Sequence, residues 1–199
     1  MIPHLTIRVA GEQDLDPLAG LIARAFHRLA VAEWLVPDPI ERQAIFPRYF
    51  RLFVEPAITE GQVYTVGDLS AVAIWLPVIG EPAPPPDDYD DRLQAICGRH
   101  VERFRVFDAA LDEHHPHDPQ HDYLAFLAAL PERQNAGLGT ALLREHHRRL
   151  DTVGRPAYLE ASSERSRYLY LREGYRPHGD PYRLPDGPPM YPLWREPRG

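Results

Sequence analysis

The sequence predicts one mixed α/β domain spanning residues 1–199, and three observations carry that expectation. Short alternating or apolar runs of strand length are interleaved with amphipathic stretches at helical spacing, the pattern of a sheet flanked by helices. Asp122 to Leu130 is an almost unbroken apolar run, too short for a typical helix and suited to a strand buried on both faces. Pro131 breaks that run, and Gln134-Asn135-Ala136-Gly137-Leu138-Gly139 then leads into a helical pattern with Leu138, Leu142, Leu143 and Leu150 on one side. A chain of 199 residues with 44% hydrophobic content can bury a proper core.

Taken in order, Leu5 to Val9 alternates and reads as a first strand. Asp14 is the expected N-cap of a helix whose stripe is Leu18, Leu21, Ile22, Ala25 and Phe26, with Pro17 tolerated in its first turn. That helix fades near Leu29, and Trp34 to Pro39 reads as a connector. Ile40 to Val54 predicts a second helix carrying Ile45, Phe46, Tyr49, Phe50 and Phe53, bent at Pro47. Gln62 to Val66 and Ala71 to Leu76 are expected strands joined by a hairpin turn at Gly67-Asp68. Glu81 to Asp88 reads as a stiff proline-rich loop, and Asp91 to Leu111 as a third amphipathic helix with Leu93, Ile96, Cys97, Val101, Phe104 and Phe107 on its stripe. His114 to His121 is an expected loop. Beyond the central device come a strand at Ala157 to Ala161, a helix from Ser163 to Glu173 closed by Gly174, a loop from Pro177 to Pro189, and a last strand at Met190 to Trp194.

A strand, a glycine-containing loop and a helix start gather unpaired backbone N–H groups around one point, where the helix dipole also favours an anion. Residues 134–140 therefore predict a phosphate or pyrophosphate site. A dinucleotide fingerprint read from Gly137 reaches Leu142 where Gly or Ala is needed, and a Walker loop fails because Gly139 leads into Thr140 without a lysine. Gln134, Gly137 and Gly139 do match the Q-x-x-G-x-G loop, and the chain resembles the GNAT acetyltransferase superfamily there. LAALPERQNAGLGTALL resembles that family's fourth strand, pyrophosphate loop and third helix. YLEASSERSRYLYLREGY (158–175) resembles its fifth strand and fourth helix, ending in Tyr170, Gly174 and Tyr175 of the Y-x-x-x-G-aromatic signature. The resemblance implies a central twisted mixed sheet of about six or seven strands flanked by helices, with a helical insertion near residues 81–111. The insertion, the proline-rich loop and the PDGPPMYPLWREP ending look like the puromycin N-acetyltransferase branch.

What the resemblance implies is an N-acetyltransferase that takes acetyl-CoA as donor and moves its acetyl group directly onto a small-molecule amine. Acetylation of a protein or peptide, and a non-catalytic acyl-CoA-binding domain, are the alternatives. Backbone amides of Gln134, Asn135, Ala136, Gly137, Leu138, Gly139 and Thr140 would grip the pyrophosphate, with Arg133 and Arg144 adding charge nearby. Ala128, Ala129 and Leu130 would offer main-chain partners to the pantetheine arm. Tyr170 would protonate the departing thiolate, against the plainer reading of a core aromatic; Ser166 stands where the family often has Asn. An ammonium has no lone pair for attack, so a base is needed. Glu160 on the fifth strand is the first candidate, against a solvated strand-end carboxylate, and His121 the second.

His114, His115, His117 and His121 with Asp118 and Asp122 offer ligand chemistry, but transfer from a thioester needs no metal, and none is expected. His146 and His147 are expected on a solvated helix face, Cys97 in a helix core, and Trp34, Trp75 and Trp194 as packing residues before pocket walls. The net charge of -7 argues against a general nucleic-acid binder and leaves room for a cationic small molecule. No window approaches the ~20 apolar residues of a membrane span, and MIPHLTIRVAGEQD lacks the features of a signal peptide. With the lone Cys97, a reducing cytoplasm is expected, with the chain a monomer or homodimer. The absence of lysine beside abundant Pro and Ala points to a GC-rich bacterial source.

Overall fold

The computed structural model describes residues 5–80 and 86–199. The strands are β1 (Ile7–Val9), β2 (Gln62–Val66), β3 (Ala71–Val78), β4 (His121–Ala129), β5 (Ala157–Ala161), β6 (Arg176–Pro177), β7 (Tyr182–Arg183) and β8 (Pro189–Arg195). They form one twisted sheet ordered β1-β2-β3-β4-β5-β8-β6, with β7 on β8. All pairings are antiparallel except that of β4 with β5. The helices are α1 (Leu15–Phe26), α2 (Ala30–Leu35), α3 (Pro39–Glu60), α4 (Tyr89–Cys97), α5 (Val101–His114), α6 (Leu138–Val153) and α7 (Glu164–Arg172). This is the mixed α/β sheet architecture expected, with β6 and β7 as two-residue additions to the strand count. None of the described helices is long and apolar enough to cross a membrane.

Two cores sandwich the sheet. Val72 and Ile74 of β3 face α1 and α3, while Ala71, Ala73 and Trp75 face α6, as period-two alternation requires of a strand buried on both sides. Opposite Ile74 and Trp75, β4 carries an extra residue: Ile74 pairs with Phe126 and Trp75 with Leu124, leaving Ala125 as a bulge. On its other edge β4 pairs with β5 only at Asp122–Ala157 and Tyr123–Tyr158. From Leu124 onward, that edge has no strand partner among the described residues.

Several boundaries differ from the sequence expectation. Residues 30–35, placed partly in a connector, form α2. α3 starts at Pro39 because the Asp38 carboxylate accepts from the N–H groups of Ile40 and Glu41 at 2.8 and 3.0 Å, and it runs on past Val54 to Glu60. Asp14 occupies the N-cap of α1 without capping it, since its carboxylate is held by Arg8 at 2.6 and 2.8 Å. The helix expected over 91–111 is broken at Gly98, whose φ of 52° is left-handed, into α4 and α5. Most of the proline-rich loop expected at 81–88 lies outside the described residues.

The expectation for His146 and His147 is overturned. Both are buried on α6, because they continue the Leu142, Leu143 and Leu150 stripe at helical spacing. His146 stacks on Trp75 with ring centroids 4.2 Å apart, and its Nε2 lies 2.8 Å from Asp122 Oδ2. Arg155 donates to the other Asp122 oxygen at 3.1 Å. Burial alone would raise the Asp122 pKa, but these hydrogen bonds outweigh it and hold the carboxyl below its ordinary range. His147 Nε2 lies 3.1 Å from the Tyr175 hydroxyl, and burial pushes its pKa down to about 3.

One close approach sets the junction of α3 and the sheet. A Cβ added at Gly61 would lie 2.5 Å from the Trp75 carbonyl oxygen and 3.0 Å from that of Ala57, both backbone atoms. Gly61→Ala is therefore expected to destabilise the fold by about 1–3 kcal/mol, read as a lowered denaturation midpoint with an unchanged slope.

Candidate active site

Where β4 and β5 lose their pairing, a cavity of about 1090 Å³ opens between them. One wall is the strand edge of β4 from Tyr123 to Ala129, and one mouth is the loop from Arg133 to Thr140. The opposite end is enclosed by aromatic side chains of α1 and α3, among them Phe26, Tyr49, Phe50 and Phe53, and by α5.

The loop has the geometry of an anion site. Asn135 and Gly137 both take left-handed φ values, 63° and 77°, and Gly137 is the N-cap of α6. The first backbone bond into the helix is that of Ala141 N–H to the Gly137 carbonyl at 3.0 Å, so the N–H groups from Ala136 to Thr140 have no protein acceptor among the described residues. They converge at a helix start, where partial positive charge accumulates. A Cβ at Gly137 would meet nothing within 4 Å, so a side chain there would project into the space a ligand needs. Arg133 is tied to Asp68 at 2.9 Å, and Arg144 to Glu173 at 2.9 and 3.0 Å. Arg133 lines the cavity, while Arg144 does not.

Glu160 of β5 reaches the cavity with both carboxylate oxygens out of solvent and unbonded. Burial pushes its pKa up to about 7. The nearby phenols of Tyr158 and Tyr123 pull the other way, although neither makes a hydrogen bond to its oxygens. Tyr158 instead donates to the His114 carbonyl at 3.2 Å, and the buried Tyr182 hydroxyl also has no partner. Across the cavity, Tyr170 of α7 is 7% exposed and packs edge-on against Tyr175 at 5.8 Å. Burial raises its phenol above the ordinary value, so the hydroxyl keeps its proton at neutral pH. The end of α7 is fixed by Gly174 at φ 97°: the Tyr175 N–H donates to the Tyr170 carbonyl at 3.1 Å and the Gly174 N–H to that of Leu171 at 3.2 Å. Ser166 lines the cavity with its hydroxyl turned back to the Ser163 carbonyl at 2.9 Å, inside the N-terminal turn that Ser163 caps.

The cavity thus gathers Ala128, Ala129, Arg133, Gln134, Asn135, Gly137, Leu138, Gly139, Thr140, Glu160, Ser166 and Tyr170 from the expected set. It leaves out Leu130, Ala136 and His121. His121 is wholly buried, its Nδ1 donating to the Pro119 carbonyl at 2.8 Å and its Nε2 lying 3.2 Å from that of His115. Burial lowers its pKa. Sequence reasoning missed the aromatic wall as a wall, since a core stripe and a pocket lining have the same spacing, and it missed Asp108 and Tyr123 altogether.

No family model matches the chain. Among solved structures, it is similar over 98% of its length to a histone acetyltransferase HPA2 and related acetyltransferase from Corynebacterium glutamicum, at 26% identity, 97% of that chain and a TM-score of 0.75. Agmatine N-acetyltransferase, as an apo variant, matches 98% of this chain and 100% of its own at 13% identity and a TM-score of 0.70. Arylalkylamine N-acetyltransferase 2 from Aedes aegypti matches 98% and 100% at 10% identity and a TM-score of 0.65. These neighbours are acetyltransferases, and the chain shares their fold.

The buried carboxylate has a consequence for stability. The folded state binds the Glu160 proton more tightly than the unfolded chain, so stability falls as pH rises and the group ionises through about 7. Glu160→Gln escapes that loss. The variant is expected to exceed the wild type by roughly 1–3 kcal/mol at about pH 8, with the gap closing near about pH 5, as measured by denaturant unfolding.

Proposed function

We propose that this chain transfers the acetyl group of acetyl-CoA directly to an amine of a small molecule. The observation that carries the reading is a cavity that joins a helix start with free N–H groups, a strand edge, a buried carboxylate and a buried phenol. The residues fit the donor. Free N–H groups from Ala136 to Thr140 suit its pyrophosphate, and the edge of β4 at Ala128 and Ala129, which has no strand partner, suits the amides of its pantetheine arm. The Leu130 N–H and carbonyl, by contrast, are already taken by Ser70 and Arg133. Acetyl-CoA supplies a thioester whose acyl carbon an unprotonated amine can attack.

Glu160 takes the amine proton. Its pKa of about 7 lets it stand ionised at neutral pH and still accept a proton, which a solvated carboxylate does poorly. Tyr170 gives its proton to the sulfur as the carbon–sulfur bond breaks, and its raised pKa keeps that proton available until then. His121 stands outside the cavity lining, so this reading assigns the base role to Glu160 alone. The aromatic end, walled also by Phe107, Asp108 and Leu111 of α5, favours a small acceptor over a protein chain. Agmatine and arylalkylamine enzymes among the structural neighbours support the same class. The finer likeness to the puromycin branch rests on the insertion and the PDGPPMYPLWREP ending and is consistent with an amine acceptor.

Three variants test the assignment. CoA should raise the melting temperature of the wild type, and Gly137→Val should abolish that shift by filling the phosphate position. Tyr170→Phe should keep the CoA shift while lowering kcat by about 10²-fold, since general acids contribute about 10²–10⁴ and a thiolate leaves readily. In Glu160→Gln the rise of turnover with pH through about 7 should vanish. Equal kcat for wild type and Tyr170→Phe would make Tyr170 a packing residue.

A further inference from the structure

The cavity wall contains a second carboxylate that the chemistry above does not use. Asp108 of α5 lines the aromatic end, where the Tyr89 hydroxyl donates to its Oδ2 at 2.8 Å. Its Oδ1 receives no hydrogen bond, and no arginine or histidine among the described residues pairs with it. Rings lead from the central strand to this group. Phe126 of β4 lies 5.6 Å from Phe53, Phe53 lies 6.4 Å from Tyr89, and Tyr49 stands 5.1 Å from Phe53. A purely apolar ligand would explain the rings but not the half-buried carboxylate, whose Oδ1 would lose its remaining water and gain no partner in return. Burial indeed pushes its pKa up to about 6, with the Tyr89 bond pulling the other way. Aromatic faces beside a carboxylate instead form a seat for a cation, which gains both the ion pair and the ring quadrupoles.

We propose that Asp108, which shares a cavity wall with Tyr49 and Phe53, binds a second cationic group of the acceptor. The substrate is then a dication with an apolar, ring-sized body. One amine meets Glu160 at the parting of β4 and β5, and the other charge sits on Asp108 at the far end of the same cavity. Glu160 is neutral when it holds the amine proton, whereas Asp108 stays charged throughout turnover and orients the molecule. Calling this ligand the acceptor rests on the transferase reading; the cation seat itself does not.

The test compares 1,4-bis(aminomethyl)benzene with 4-methylbenzylamine, which has the same ring and one charge fewer, by titration calorimetry of the full chain with CoA present. The wild type is expected to bind the diamine roughly tenfold more tightly. Asp108→Asn should erase that preference while leaving the monoamine affinity within about twofold. Tyr89→Phe keeps the carboxylate and should keep the preference, which separates a lost charge from a disturbed α4–α5 contact. A wild type without a diamine preference overturns the proposal, and this outcome needs no variant to fold. So does an Asp108→Asn protein that retains the preference or loses both ligands alike. An Asp108-dependent preference without acetylation of either amine would uphold the cation seat and sink the transferase reading instead.

Discussion

The carboxylate of Asp122 ties together the three elements from which the site opens. It stands at the start of β4, accepts from Arg155 just ahead of β5, and meets His146 from the middle of α6. Its own N–H donates to the Pro156 carbonyl at 3.0 Å. A charge this deep is tolerated only because each oxygen has a partner, and removing a partner from a buried pair typically costs about 3–5 kcal/mol. The knot fixes β4 against β5 at their first residues. Beyond Tyr123 and Tyr158 the ladder stops, and the Ala125 bulge turns β4 on its other side. A sheet interior thereby exposes a strand edge inside the protein, an arrangement that ordinarily invites another strand. Here it faces the cavity.

Electrostatics divides the resulting cavity. At the loop end the field is positive without a single obligatory side chain, because it comes from backbone N–H groups and the α6 dipole. Elsewhere on the cavity wall the charges are carboxylates near aromatic rings, Glu160 close to Tyr123 and Tyr158 and Asp108 bonded to Tyr89. Burial raises both groups, which brings the Glu160 carboxyl to about 7 and keeps the Tyr170 phenol protonated at neutral pH.

The sequence by itself determined whatever depends on local spacing. The β4 run, the left-handed Gly137 at a helix start, the Leu138, Leu142, Leu143 and Leu150 stripe, and the Tyr170–Gly174–Tyr175 helix end are short-range patterns, and each appears where the residues place it. Even the burial of His146 and His147 was present in that stripe, hidden by the neighbouring charges of α6, and the break at Gly98 was present as a glycine. Only the tertiary structure decided which side chains share the cavity. Glu160 and Tyr170 sit on different elements, Asp108 arrives from a helix more than fifty residues away in sequence from Glu160, and His121 turns to His115 instead of the site. A helix stripe or strand alternation tells a residue which face to bury, because that is set by backbone geometry within a few residues. It carries no information on whether the buried face meets packed side chains or an open cleft, since that depends on where distant strands stop pairing.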